Sequence, residues 1–201
     1  AIAPPDRLER IHLLVKTFLL FTLGGVDAAL SGLQPSSLDA PQPSAQTLQL
    51  AEASHAEIDA ELARDDTATG RRQAAVARAA RPTAEAKAQA WADITERTDL
   101  PNAILEATIG GFMHPDQIEL ITPYRDSYFG VLGELWKSRT NETATNVTVG
   151  LYPFLLVDDT TIALTDAAIA GDLGATPKRL LAEGRDGVER AARARARDAR
   201  G

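Results

Sequence analysis

Residues that open helices recur along this chain at short, nearly regular intervals, and nothing else in the sequence restricts its fold as strongly. Asp66-Thr67, Thr83, Asp99 with Pro101, His114-Pro115-Asp116, Thr122-Pro123, Thr140, Asp158 or Asp159, and Thr176-Pro177 each precede a run with helical spacing of apolar residues. A short polar side chain satisfies an orphan N–H of a first turn, and proline fits there because its missing N–H had no partner. The runs stop before Pro82, near Gly110-Gly111-Phe112, at Leu151-Tyr152-Pro153 and near Ala170, and the last continues to the C-terminus. The run opened by Thr83, with Glu85 in its first turn, is predicted to turn Ala84, Ala88, Trp91 and Ile94 or Thr95 inward. The one opened by Thr122-Pro123 carries Tyr128, Phe129, Leu132 and Trp136. Residues 47–55 and 56–64 read as two short helices or one broken one, with Glu61 and Arg64 a favourable pair three apart. Only residues 145–149, TNVTV, approach a strand pattern, and they fall inside a helical one. The chain is predicted to be all-α.

Short turns between such helices make consecutive ones antiparallel neighbours. Large aromatics are only 5% of the 201 residues, so Ala, Leu, Ile and Val carry the 44% hydrophobic content and allow close helix approach. The expectation is an irregular HEAT- or armadillo-like stack of antiparallel helix pairs, an αα superhelix without a strict repeat. A single compact bundle is the alternative. Pro4-Pro5-Asp6 opens an N-terminal helix through Leu8, Ile11, Val15, Phe18, Leu19 and Thr22, ended by Gly24-Gly25, with a short helix possible over 26–30. Residues 34–45, QPSSLDAPQPSA, are the one linker-like segment. Residues 1–45 are therefore read as a helix plus linker, and 46–201 as the helical-repeat domain.

With no Cys, a disulfide framework, a thiolate metal site and a cysteine nucleophile are excluded. His12, His55 and His114 stand alone, none with a second His one turn away, and read as surface or helix-end residues. No H-E-x-x-H, G-x-S-x-G, phosphate loop or G-x-G-x-x-G occurs. Gly24-Gly25 and Gly110-Gly111 read as helix ends or close packing points. Asp65-Asp66 and Asp158-Asp159 are adjacent, so they point in different directions on a helix and suit caps, not acid/base work. Asn141-Glu142-Thr143 and Asn146-Val147-Thr148 match the glycosylation sequon, but inside a predicted helix they read as chance matches. Tyr124, Tyr128, Phe129 and Trp136 read as a core stripe, with an aromatic pocket as the alternative.

The most apolar stretch, residues 13–26, is interrupted by Lys16 and is well short of the roughly 20 residues that span a bilayer. Asp6 and Glu9 stand where a signal peptide would be positive, so a buried amphipathic helix, no membrane partner and a cytoplasmic protein are expected. With 21 Lys and Arg against 28 Asp and Glu, the charge of −7 argues against nucleic acid as a partner. Residues 185–201 nevertheless hold six Arg against three acids, with Arg185–Glu189 and Glu189–Arg193 spaced to support a helix. That helix is read as solvated or as docking on an acidic neighbour.

From about Ala56 onward the sequence resembles the C-terminal helical domain of the aminopeptidase N family, zinc metallopeptidases of the gluzincin type, in its actinobacterial form. The carrying segments are AEIDAELARDDTATGRRQAAVARAARPTAEAKAQAW (residues 56–91) and DLPNAILEATIGGFMHPDQIELITPYRDSYF (residues 99–129). NVTVGLYP (146–153) and LLAEGRDGVERAARA (180–194) continue it in the family's order. The first fifty residues match poorly.

The resemblance implies a parent enzyme that removes N-terminal amino acids from peptides. Its zinc motif and its amine-recognition motif would lie in a preceding domain. In such enzymes the C-terminal domain is a helical-repeat arch that covers the catalytic domain and helps enclose the peptide chamber. The implied partners are that catalytic domain and the peptide, and zinc is implied for the parent alone. No catalytic or metal residue is assigned in this chain, and because the chamber-lining positions form no motif, no substrate-binding residue is named. A stand-alone helical-repeat module that binds a protein is the alternative.

Overall fold

The computed structural model describes residues 55–199. The expectations for the helices and glycines before residue 31, for His12, for the linker at 34–45 and for residues 47–54 lie outside the described residues.

Within them the chain forms α1 (His55–Arg64), α2 (Ala68–Ala79), α3 (Ala84–Thr95), α4 (Asn102–Phe112), a single 3-10 turn (Pro115–Gln117), α5 (Ile118–Ile121), α6 (Tyr124–Ser138), α7 (Asn141–Gly150), α8 (Asp159–Ala170) and α9 (Ala175–Asp198). No strand occurs among the described residues, so the chain is an all-α helical stack. The expected caps are in place: the side chains of Thr67, Thr83, Thr140 and Asp158 accept from the backbone N–H of Gly70, Ala86, Thr143 and Thr161. Thr140→Ala is expected to cost about 1 kcal/mol of unfolding free energy, with Thr140→Asp restoring most of it. Urea denaturation of the two variants checks this, and equal losses in both would rule out a capping role.

Two helix starts differ from expectation. α9 begins at Ala175 behind Gly174, with no side-chain cap, and Pro177 is its third residue, a first-turn position where its missing N–H costs nothing. Asp99 does not cap α4; it pairs with Arg97 at 2.8 Å, and Pro101 occupies the cap position.

Long-range bonds give the helices their directions. Thr143 donates to Asn102, Asn146 donates to Glu106, and Gly150 packs on Ile109, so α4 and α7 run parallel in register. α2 joins α4 on its other side, and α7 packs on α9. In the second layer Arg139, just after α6, donates to the carbonyls of Thr95 and Arg97 at the end of α3. Arg125 in the first turn of α6 donates to Asp158 at the start of α8. Thus α3, α6 and α8 also run parallel, lying across α4, α7 and α9, and the consecutive pair α6–α7 bridges the layers. The core between them holds Ile94, Phe112, Tyr128, Leu132, Val147 and Leu181, each no more than 1% exposed.

α3 is rotated from its expected face. Ala84 and Ala88 are exposed, while Ala86, Lys87, Ala90 and Ile94 point inward and Trp91 is half-buried. Burying a lysine is costly enough that pattern reading places it outside. The carbonyls that receive it belong to α2 and α4, which the sequence of α3 does not reveal.

Candidate functional site

Two features stand out: a buried cation where α2 and α4 end, and a groove beside it. Lys87 is wholly buried. Its Nζ donates to the carbonyls of Ala79 (2.8 Å), Phe112 (3.0 Å) and Gly111 (3.1 Å) and lies 5.6 Å from the centre of the Phe112 ring. These are last-turn carbonyls, left without intrahelical donors and carrying the negative end of each helix dipole. Three ammonium hydrogens thus meet three acceptors. Burial pushes the Lys87 amine down to about 7. Gln117 adds a fourth bond to the same corner, donating to the Ala80 carbonyl at 2.7 Å. His114, at the end of α4, is also buried, and its Nδ1 accepts from the N–H of Asp116. Burial lowers its pKa first, Asp116 opposes that, and Lys87 adds to it.

The arrangement fastens the C-terminal ends of α2 and α4 together and exposes no reactive group. Lys87 reaches only carbonyls, so it has neither a proton acceptor to exchange with nor a route to substrate. Reading charge patterns along α3 alone missed it. The available signal was its position on the Ala86–Ala90–Ile94 stripe, one turn ahead of Trp91.

The groove, of about 320 Å³, is floored by alanines of α2 and α3, including Ala75 and Ala90, with Ile104 of α4. Most of its charged rim is paired: Arg78 with Asp59 at 2.6 Å, and Arg97 with Asp93 and Asp99, while Glu85 also lines it. His55 sits at its edge, away from His114 at the far end of α4. The rim can hold polar groups of a partner, but these aspartates are tied to arginines and do not form an acid/base pair. Among the described residues no three of His, Asp and Glu gather to hold a metal ion.

The remaining sequence candidates are structural. Trp91, Phe112 and Tyr124 form one ring cluster, and Tyr128 meets Phe129 and Tyr152 edge-on. The Tyr128 hydroxyl donates to the Thr148 carbonyl at 2.7 Å and Trp136 Nε1 donates to the Thr148 hydroxyl at 2.9 Å, so the stripe is core. The Thr148 of one sequon is therefore buried, and Asn146 is held by Glu106 at 2.8 Å. Gly111 is a close packing point, as expected, whereas Gly110 faces open space. Asp158 caps α8 and Asp66 pairs with Arg71 at 2.6 Å.

The family described as ERAP1-like C-terminal domain matches residues 42–190. Aminopeptidase N of Streptomyces lividans is 50% identical over 144 residues, which cover 71% of this chain and 17% of that protein. The chain therefore spans far less than the length of the curated relative it matches.

Proposed function

Because the chain belongs to the ERAP1-like C-terminal domain family, we propose that it is the non-catalytic C-terminal helical domain of a zinc aminopeptidase. It covers the catalytic domain there and helps to enclose the chamber that holds the peptide. The observation that carries this reading is the unbroken family match over residues 42–190, joined to 50% identity with a short part of a much longer Aminopeptidase N. The two-layered stack with its polar-rimmed groove supports it, since such a surface suits contact with a neighbouring domain.

On this reading zinc and the amine-recognition residues belong to the preceding catalytic domain. The described residues do not fit a zinc ion, since they bring no three ligands together, and no step of peptide hydrolysis is assigned to them. The partners are the catalytic domain and, through the chamber, the peptide; nucleic acid and membrane are not among them. Residues 46–201 make up this domain, and the site of action is the cytoplasm. No helix among the described residues is long and apolar enough to cross a membrane.

The isolated 201-residue chain is expected to hydrolyse no aminoacyl-anilide above the buffer rate. Turnover that a chelator abolishes would falsify this reading. A stand-alone helical-repeat module that binds a protein partner is the second reading, favoured by the groove at α1–α4. The gene distinguishes them: continuation upstream into G-x-M-E-N and H-E-x-x-H supports the first, and a start codon near Ala1 supports the second.

A further inference from the structure

The longest helix, α9, has two halves of different character. From Pro177 to Val188 it belongs to the core: Pro177, Leu181 and Val188 are buried, Gly184 lies against the Tyr152 ring, and Arg185 bridges Asp166 and Glu189. Beyond Val188 no described residue is buried. The ten residues from there to Asp198 extend the helix by about 15 Å. They carry Arg190, Arg193, Arg195 and Arg197 against Glu189 and Asp198, in a chain of net charge −7. At 100° per residue, Arg190, Arg193 and Arg197 fall within one 60° sector of the helix, on a single face.

These arginines are lightly held. Arg190 and Arg193 touch only Asp186 and Glu189 one turn back, with more than 60% of each arginine side chain exposed. Such exposed pairs contribute little and exchange easily. Arg195 and Arg197 meet no carboxylate among the described residues. The family match also ends at residue 190, so most of this tip lies outside the matched residues.

We propose that the tip of α9 is a docking surface for a carboxylate-rich protein face. Charge complementarity selects that partner. The stripe that leads to the tip mixes Glu183, Asp186 and Glu189 with its arginines, an order that a protein surface can match and a uniformly negative phosphate backbone cannot. A lipid surface is disfavoured too, because the residues between the arginines are alanines and offer no Trp, Phe or Leu to insert. Alanines leave the helix flat, so a partner can approach while the guanidinium groups reach outward to carboxylates in bidentate fashion. This surface is independent of the aminopeptidase reading and holds for either function above.

Titration of the full 201-residue chain with poly-L-glutamate, monitored by calorimetry, tests it. Binding is expected at 20 mM salt and is expected to fall at least tenfold by 200 mM. The variant R190Q/R193Q/R195Q/R197Q is expected to lose it at least tenfold with an unchanged far-UV circular dichroism spectrum. A control variant, R64Q/R71Q, removes the same kind of exposed charge from α1 and α2 and is expected to bind as the parent chain does. No binding, equal binding by the four-site variant, or equal loss in the control overturns the proposal. Tighter binding of a duplex DNA, or of phosphatidylserine vesicles, than of poly-L-glutamate also overturns it and reassigns the tip to that partner.

Discussion

Lys87→Met is expected to lower the unfolding free energy at pH 7 by about 2–3 kcal/mol. Methionine keeps the length and apolar stem of lysine but has no donor at its end. The Phe112 carbonyl retains the N–H of His114, whereas those of Ala79 and Gly111 lose the Nζ bond. A buried acceptor without a donor costs about 1–3 kcal/mol, and relief of the cost of burying an amine offsets part of that. The same substitution should remove a pH dependence. The folded-state pKa of Lys87 lies near 7, below the usual 10.5, so between these values the unfolded chain binds more protons than the folded one. Stability therefore rises with pH across that window, by at most about 1.4 kcal/mol per unit. His114 acts below its ordinary value of 6.5, since its pKa is lowered. Tyr124, Tyr128 and Tyr152, whose pKa values are raised, subtract stability only above about 10. Urea denaturation at pH 7.0, 8.0 and 9.0 isolates the lysine. A parent chain whose stability is flat over that range, or a variant with the same slope, would refute the assignment.

The cap residues were legible because each acts on its own next turn. Thr67, Thr83, Thr140 and Asp158 need nothing beyond the three residues that follow them, and all four are found at their stations. Glu61–Arg64 and Arg185–Glu189–Arg193 were legible for the same reason. The start of α9 was not, because Thr176-Pro177 satisfies a local rule equally well two residues further on. The layered order was also hidden. It rests on Arg139 reaching Thr95, Arg125 reaching Asp158 and Gln117 reaching Ala80, bonds between residues 33 to 44 apart. The inward face of α3 failed for a related reason. A lysine is read as outward unless carbonyls are known to wait for it, and those at Ala79 and Gly111 are presented by helices before and after α3. The site was therefore the least legible part, while the family resemblance, carried by long ordered segments, reached the all-α fold and the family.

The corner that Lys87 closes depends on how near α2 and α4 approach, and Gly111 sets that distance. A Cβ at Gly111 would run into the Val76 carbonyl oxygen and lie 2.9 Å from the Ala79 Cβ, while at Gly110 nothing lies within 4 Å. The first contact is with backbone, so no side-chain rotation relieves it and the helices must separate. Gly111→Ala is expected to cost about 3 kcal/mol or more through overpacking, although alanine is the better helix former. Gly110→Ala, one residue earlier in the same helix, should instead stabilise by about 0.5–1 kcal/mol. Separation of α2 and α4 would also pull the Gly111 and Phe112 carbonyls away from Lys87, since Ala79 anchors the amine from the other helix. Part of the cost of Gly111→Ala is then the cost already paid in Lys87→Met. The double variant should lose less than the sum of the two, by about 1 kcal/mol or more. Equilibrium urea denaturation of the two glycine variants, the lysine variant and the double variant measures both effects. Equal changes at Gly110 and Gly111 would show that helix propensity, not the approach of the helices, governs this seam. Strict additivity with Lys87→Met would show that the amine and the seam are separate devices.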